Sequence, residues 1–393
     1  MRKYSSRTGI AALLLFAPLL LASLFVGGTV FGTERVLFEQ DGVRHEVEGQ
    51  VIAADAEGGL VLRTVDNYLW IVEADQVVER TKDERTYELL DEEAMAESVL
   101  AGLPSRFEVH QTAHYTICYD TSQVYARWCG SLFERLYSAF SNFWRQRDFE
   151  IQDPEHPLVA IIFADRRDYL AYSRPILGDS SESIVAYYNL CSNRLVMYDM
   201  TGRESQRQGE PNRSYMEIQR ILATSGAAAT VATTVHEATH QLGFNCGLHQ
   251  RFSDCPRWAL EGVAIYFETP DLSSTRGWRS IGTLNRSRLS RFQRYASTIR
   301  PADSLLKLVV EDARFLDTST ALDAYAESWA LTYFLLRRYP DKYLEYMELL
   351  STKVVAAPDT PEQRWADFRS VFGESPELSQ LDQDFLRFIM QIR

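Results

Sequence analysis

Apolar and polar positions alternate with period two from Arg35 to Glu84, through HEVEGQVIAAD, GGLVLRTVD and YLWIVEADQVVER. Turn residues such as Glu57-Gly58-Gly59 and Asp66-Asn67 separate the runs. Alternation punctuated this way predicts a small antiparallel sheet, a barrel-like module over residues 34–85. The next stretch, KDERTYELLDEEAMAESVL, is acidic with helical spacing and predicts a linking helix within 86–105.

The texture changes after Pro104, and residues 106–393 read as one larger domain. FEVHQTAHYTICYD alternates as a strand would, and QVYARWCGSLFERLYSAFSNFWRQ carries apolar residues at helical spacing. LVAIIFAD is a short apolar run suited to a strand buried on both faces. VAYYNLCSNRLVMYD reads as two strands joined near Cys191-Ser192-Asn193, and from about Ser214 the pattern is helical almost to the end. Strand, helix, strand, hairpin and then helices predict an α+β fold with a mixed sheet and a following helical subdomain.

Charge narrows the function. A formal net charge of −13 offers no basic face to neutralise phosphates, which argues against a nucleic-acid partner. Residues 1–33 form a targeting segment: Arg2, Lys3 and Arg7 precede an uncharged run from Gly9 to Gly32. That pattern fits a cleaved signal peptide or an uncleaved membrane anchor, and both place the remainder outside the cytoplasm, secreted, periplasmic or membrane-anchored. The five cysteines, Cys118, Cys129, Cys191, Cys246 and Cys255, include no CxxC pair, so a cysteine-based zinc or redox site is not expected. In an exported setting Cys246 and Cys255 are expected to pair, closing a short loop worth about 3 kcal/mol.

The candidate chemistry lies in AAATVATTVHEATHQLGF, read as a helix. His236 and His240, four residues apart, project from one face about 6 Å apart along the axis and can both reach one ion. Glu237 lies about 100° round from His236, beside the ion but off the ligand direction, which suits a base acting on metal-activated water. A third ligand is sought downstream in CPRWALEGVAIYFE, where Ser253 or Asp254 can cap a helix and Pro256 fits its first turn. Glu261 is the candidate, because Gly262 beside it would let two helices approach closely enough for the carboxylate to reach the ion. The alternative is a surface Glu261 with Gly262 as an early helix stop. Two histidines and a glutamate leave a fourth tetrahedral position for water, as catalytic zinc requires.

HEATH followed by a helix with EGVAIYFE resembles the gluzincin group of zinc metallopeptidases, the thermolysin-like clan. The glutamate falls 261 − 240 = 21 residues after the second histidine, close to that group's spacing. HEATHQL, GLHQRFSDCPRW and EGVA also resemble an uncharacterised bacterial domain family assigned to the same clan. The motifs cover about 35 residues. The resemblance implies a zincin-like domain with His236, His240 and Glu261 as Zn2+ ligands and Glu237 as catalytic base. It also implies an edge strand lining the cleft, for which residues 183–199 are the candidate. The chain departs from the pattern at Ile265, where an aspartate would orient a ligand histidine; Glu268 or a backbone carbonyl is the expected substitute. Tyr325 is the candidate oxyanion donor, while His249 and Trp258 are expected to be structural. The expectation is an exported zinc peptidase acting on peptide or protein substrates. The alternatives are a zinc-bearing but non-hydrolytic envelope binding protein and a zinc amidase acting on cell-wall peptides.

Overall fold

The computed structural model describes residues 33–82, 85–201, 214–269, 278, 280–374 and 377–393. The targeting segment therefore lies outside the described residues, Thr33 excepted. No described helix is long and apolar enough to cross a membrane.

The N-terminal strands are β1 (Glu34–Gln40), β2 (Val43–Ala54), β3 (Leu60–Arg63), β4 (Leu69–Val72) and β5 (Val77–Lys82). They form an antiparallel sheet ordered β4-β3-β2-β1-β5. Val36, Phe38, Val51, Leu60, Leu62 and Val72 point to one side and make its core. The barrel expectation needs correction: no pairing joins β4 to β5 among the described residues, so this sheet is open.

Helix α1 (Glu92–Ala101) follows, capped by the Asp91 carboxylate accepting from the Ala94 N–H. It is more than a linker, since Met95 and Val99 pack on the larger sheet. That sheet begins with β6 (Glu108–Gln111) and β7 (Tyr115–Tyr119), a hairpin where the alternation suggested one strand. Glu134 breaks the strand by accepting from the Thr112 hydroxyl at 2.6 Å and the His114 N–H at 2.7 Å. Next come α2 (Gln123–Arg145), β8 (Leu158–Phe163), α3 (Arg166–Leu177), β9 (Ala186–Asn189) and β10 (Arg194–Tyr198).

The larger sheet runs β6-β7-β8-β10-β9, with β7, β8 and β10 parallel and both edge strands antiparallel. Alternate residues feed opposite faces. Ile117, Ala160, Ile162, Leu195 and Met197 meet the large helical core, whereas Cys118, Val159, Ile161 and Val196 meet α1 and α3. Every residue of β8 is buried, as its unbroken apolar run predicts.

The rest is helical: α4 (Tyr215–Leu222), α5 (Ser225–Asn245), α6 (Arg257–Phe267), α7 (Arg286–Thr298), α8 (Ser304–Val310), α9 (Ala313–Leu316), α10 (Ala321–Arg338), α11 (Pro340–Ser351), α12 (Pro361–Phe372) and α13 (Glu377–Met390). The β module is locked to this body by Arg251. Its buried guanidinium donates to the backbone carbonyls of Asn67 in the module and of Leu190 and Cys191 in the β9–β10 turn, at 3.0, 3.0 and 3.2 Å.

Candidate metal centre

Helix α5 divides its chemistry between two faces because residues four apart share one. Glu237 and Gln241 face the sheet. The Gln241 amide donates to the carbonyls of Val159 and Asn193, both at 3.0 Å, and the Glu237 carboxylate accepts from the Tyr188 N–H at 3.0 Å. His236 and His240 face α6 instead. The helix ends where Gly247 adopts φ +86°, a left-handed conformation that suits glycine. The Leu248 N–H then closes back onto the Gly243 carbonyl at 3.1 Å and the chain turns toward α6.

Helix α6 brings Glu261 to the two imidazoles. Glu261 Oε2 stands 3.0 Å from His236 Nε2 and 3.6 Å from His240 Nε2, and the two Nε2 atoms are 3.2 Å apart. Ligands at about 2.0–2.1 Å around a small tetrahedral ion lie about 3.3 Å from one another, a value these three separations bracket. One ion therefore fits between the three donor atoms. All three residues are under 9% exposed, so the donors are fixed in place before any ion arrives.

Glu268, one residue beyond α6, makes the contact with a histidine that its expected orienting role requires. Its Oε2 lies 3.1 Å from His236 Nδ1, which leaves Nε2 to face Glu261 and His240. Its Oε1 accepts from the Asn285 amide at 3.0 Å and lies 3.5 Å from Arg288 Nε. Asn285 and Arg288, at the start of α7, carry no motif that marks them as site residues. The only local cue there is the asparagine cap, whose Oδ1 accepts from the Arg288 N–H at 3.1 Å.

The electrostatics favour a cation. Burial opposes charge on His236, yet hydrogen bonds to Glu261 and Glu268 outweigh it and raise the imidazole to about 10. Burial works against the Glu261 anion too, but its bonds to both histidines hold it well below the usual carboxylate range. Without metal, a proton on His236 supplies the positive charge these acids demand. Burial pushes Glu237 the other way, upward, with the nearby histidines offsetting part of that. A raised carboxyl is suited to take a proton and give it back.

A cavity of about 240 Å³ opens on these groups. Its walls include residues 183–186 leading into β9, the α5 residues Ala229, Thr230 and Thr233, and the side chains of His236, Glu237 and Glu261. Glu268, Arg288 and Tyr325 complete it. The Tyr325 hydroxyl makes no hydrogen bond to the protein among the described residues. Burial first, then the Glu261 charge, pushes this phenol well above its ordinary value, so it stays a proton donor.

Two expectations need correction. Gly262 does permit a close approach, but to α10 rather than α5: a Cβ there would collide with the Thr332 hydroxyl and lie 3.0 Å from the Ser328 carbonyl. Packing α6 on α10 thus turns the neighbouring Glu261 toward α5. Second, Cys246 and Cys255 are both free thiols. Cys246 ends α5 with Asp153 and Arg145 as its charged neighbours, while Cys255 lies among Arg364, Asp254 and Asp312, 3.7 Å from His249 Nδ1. The two thiols point into different surroundings. The loop is held instead by backbone bonds to the Gly243 carbonyl, from Leu248 and, at 3.0 Å, from His249. His249 and Trp258 are both buried, Trp258 within the large core.

Fold and cluster together define an α+β protein in which two histidines and a glutamate, buried beside the edge of a mixed sheet, could hold a metal ion. Residues 230–356 match the model of a family described as "Protein of unknown function (DUF1570)". No curated protein matches the chain. The matched stretch holds every residue named in the cavity from Thr230 onward, and omits the β module and the strands of the mixed sheet.

Proposed function

We propose that this chain is a zinc-dependent peptidase of the gluzincin type, acting outside the cytoplasm on peptide or protein substrates. The observation that carries the reading is the placement of Glu237. It shares a cavity with His236 and Glu261, two of the three residues whose donor atoms converge, without belonging to that trio itself, and it is anchored to the edge strand. A purely structural metal site has no use for such an acid.

Zn2+ suits the donor set, and His236, His240 and Glu261 would hold it; a bound zinc supplies Lewis acidity to a carbonyl and lowers the pKa of water. The protein's own groups do the rest. Glu237 accepts the proton that water gives up and passes it to the leaving amine as the amide C–N bond breaks and the carbonyl carbon gains the water oxygen. The Tyr325 phenol donates toward the oxygen that gains charge. Along β9 both backbone groups of a residue point the same way, and Tyr188 points away from β10 toward Glu237. Ala186, two residues earlier, turns the same way and lines the cavity, so its N–H and C=O would hold an extended substrate. The basic N-terminal flank with its apolar run supports export, and leaves anchor and cleaved signal both open.

The test pairs metal analysis with turnover. Wild type is expected to carry one zinc per chain and to cleave an unstructured protein. Glu237→Gln should keep the zinc and lose activity by roughly 10²–10⁴-fold. Zinc-loaded wild type that cleaves neither protein substrates nor cell-wall peptides would leave the non-hydrolytic binding protein as the better reading. Cleavage confined to cell-wall peptides would favour the amidase.

A further inference from the structure

The cavity beside the ligand set contains a cation that the reaction does not require. Arg288 is held at both ends of its stem. Its backbone N–H is fixed by the Asn285 cap, and its Nε faces Glu268 at 3.5 Å. Its guanidinium carbon lies 5.8 Å from the centroid of the Tyr325 ring, the candidate oxyanion donor. The two terminal nitrogens make no hydrogen bond to the protein among the described residues. Glu268 cannot serve as their full partner, because its other oxygen is committed to His236 and Asn285 shares the first. Glu237 and Glu261 are engaged by Tyr188 and by the histidines. Arg288 thus brings two terminal donors and a largely unspent charge, 20% exposed, to the wall of the cavity.

A planar guanidinium fork matches a carboxylate bidentately, and partial removal from water strengthens that pairing. The cavity is also small. Its volume of about 240 Å³ falls below the roughly 300 Å³ at which ordinary small-ligand pockets begin. One Glu268 carboxylate spans the gap between the His236 ring and Arg288, so whatever Arg288 binds lies close to the amide being cut. We propose that Arg288 is a specificity residue that binds a substrate carboxylate next to the scissile amide. This makes the site selective for an acidic residue there or for the C-terminal residue of the peptide. The inference rests on the peptidase reading for the word substrate, but not for the binding itself.

Full-length Glu237→Gln protein, which should bind without turnover, is titrated calorimetrically with N-acetyl-alanyl-alanine, with its carboxamide, and with N-acetyl-alanyl-glutamic acid α-amide. The free acid or the glutamate peptide, or both, should bind roughly tenfold or more tighter than the uncharged carboxamide. Which of the two does so separates a C-terminal carboxylate from an acidic side chain. Adding Arg288→Gln should shrink that preference to about twofold or less while zinc content stays the same. The titrations are repeated after chelation, where the preference should persist if the carboxylate sits on Arg288 and vanish if it sits on the ion. Equal binding of all three probes, a preference that survives Arg288→Gln, or one that disappears with the metal each overturns the proposal. Turnover of wild type is scored separately, so a preference without hydrolysis would sink the peptidase reading and leave this site standing.

Discussion

Two buried clusters of charge in the helical half are built on opposite principles. Around Glu327, which is fully buried, every oxygen is answered by the protein. Arg300 Nε donates at 2.8 Å and an Arg314 terminal nitrogen at 2.7 Å, while the Ser304 hydroxyl lies within 2.9 Å of both oxygens. Arg300 is then completed by Asp382, at 2.6 and 3.1 Å. Around Glu261 the balance is left open: Glu237, Glu261 and Glu268 converge on two imidazoles and one arginine, and three donor atoms aim at one point. A cluster that serves only the fold is neutralised from within. One that awaits a ligand keeps a charge deficit that something outside the chain must fill.

Substitutions sharpen this contrast. Glu327→Ala leaves the Arg314 guanidinium without its anion and Arg300 with Asp382 alone, and should cost about 3–5 kcal/mol in denaturant unfolding, with no rescue by zinc. The proposed metal centre should behave in reverse. Zinc at a hundredfold over its Kd should raise wild-type stability by about 2.7 kcal/mol, and Glu261→Gln should abolish that gain. If zinc stabilised Glu261→Gln as much as wild type, the ion would be bound elsewhere.

Smaller effects test the surroundings. Glu268→Gln weakens the hold on His236 Nδ1 and should lower zinc affinity about 10–100-fold in competition with a chromogenic chelator. Unchanged affinity would make Glu268 a bystander. Chelated protein should further show a pH dependence. The folded-state pKa of His236 is raised to about 10, against about 6.5 when unfolded, so its contribution is complete below about 6.5 and is lost as pH rises toward 10. Stability of the metal-free chain should therefore fall across that window, and the slope should flatten in Glu261→Gln. A slope that survives there would have to come from other groups.

Much of this was legible in the sequence, for physical reasons. The four-residue spacing of His236 and His240 survives any packing of their helix, because the α-helical repeat sets it. The all-apolar run of β8 likewise admits few placements other than a sheet centre. Glu261 is legible from local cues, but Gly262 beside it signals a close approach without saying to what, and the partner is α10. Arg288 and Asn285 could not be seen, because their link to Glu268 joins residues 17 and 20 positions apart that no short motif connects. Side-chain direction was equally hidden at Cys246 and Cys255, whose separation along the chain allowed a bond that their opposed surroundings do not. The docking of Arg251 on the tip of the β module, through Asn67, was also beyond local pattern.

The most direct test is diffraction from crystals of the purified chain on both sides of the zinc absorption edge. A single anomalous peak at about 2.0–2.1 Å from His236 Nε2, His240 Nε2 and a Glu261 oxygen is the predicted result. Crystals grown with zinc that show no peak there, or that turn the Glu261 carboxylate away from both rings, would contradict the account.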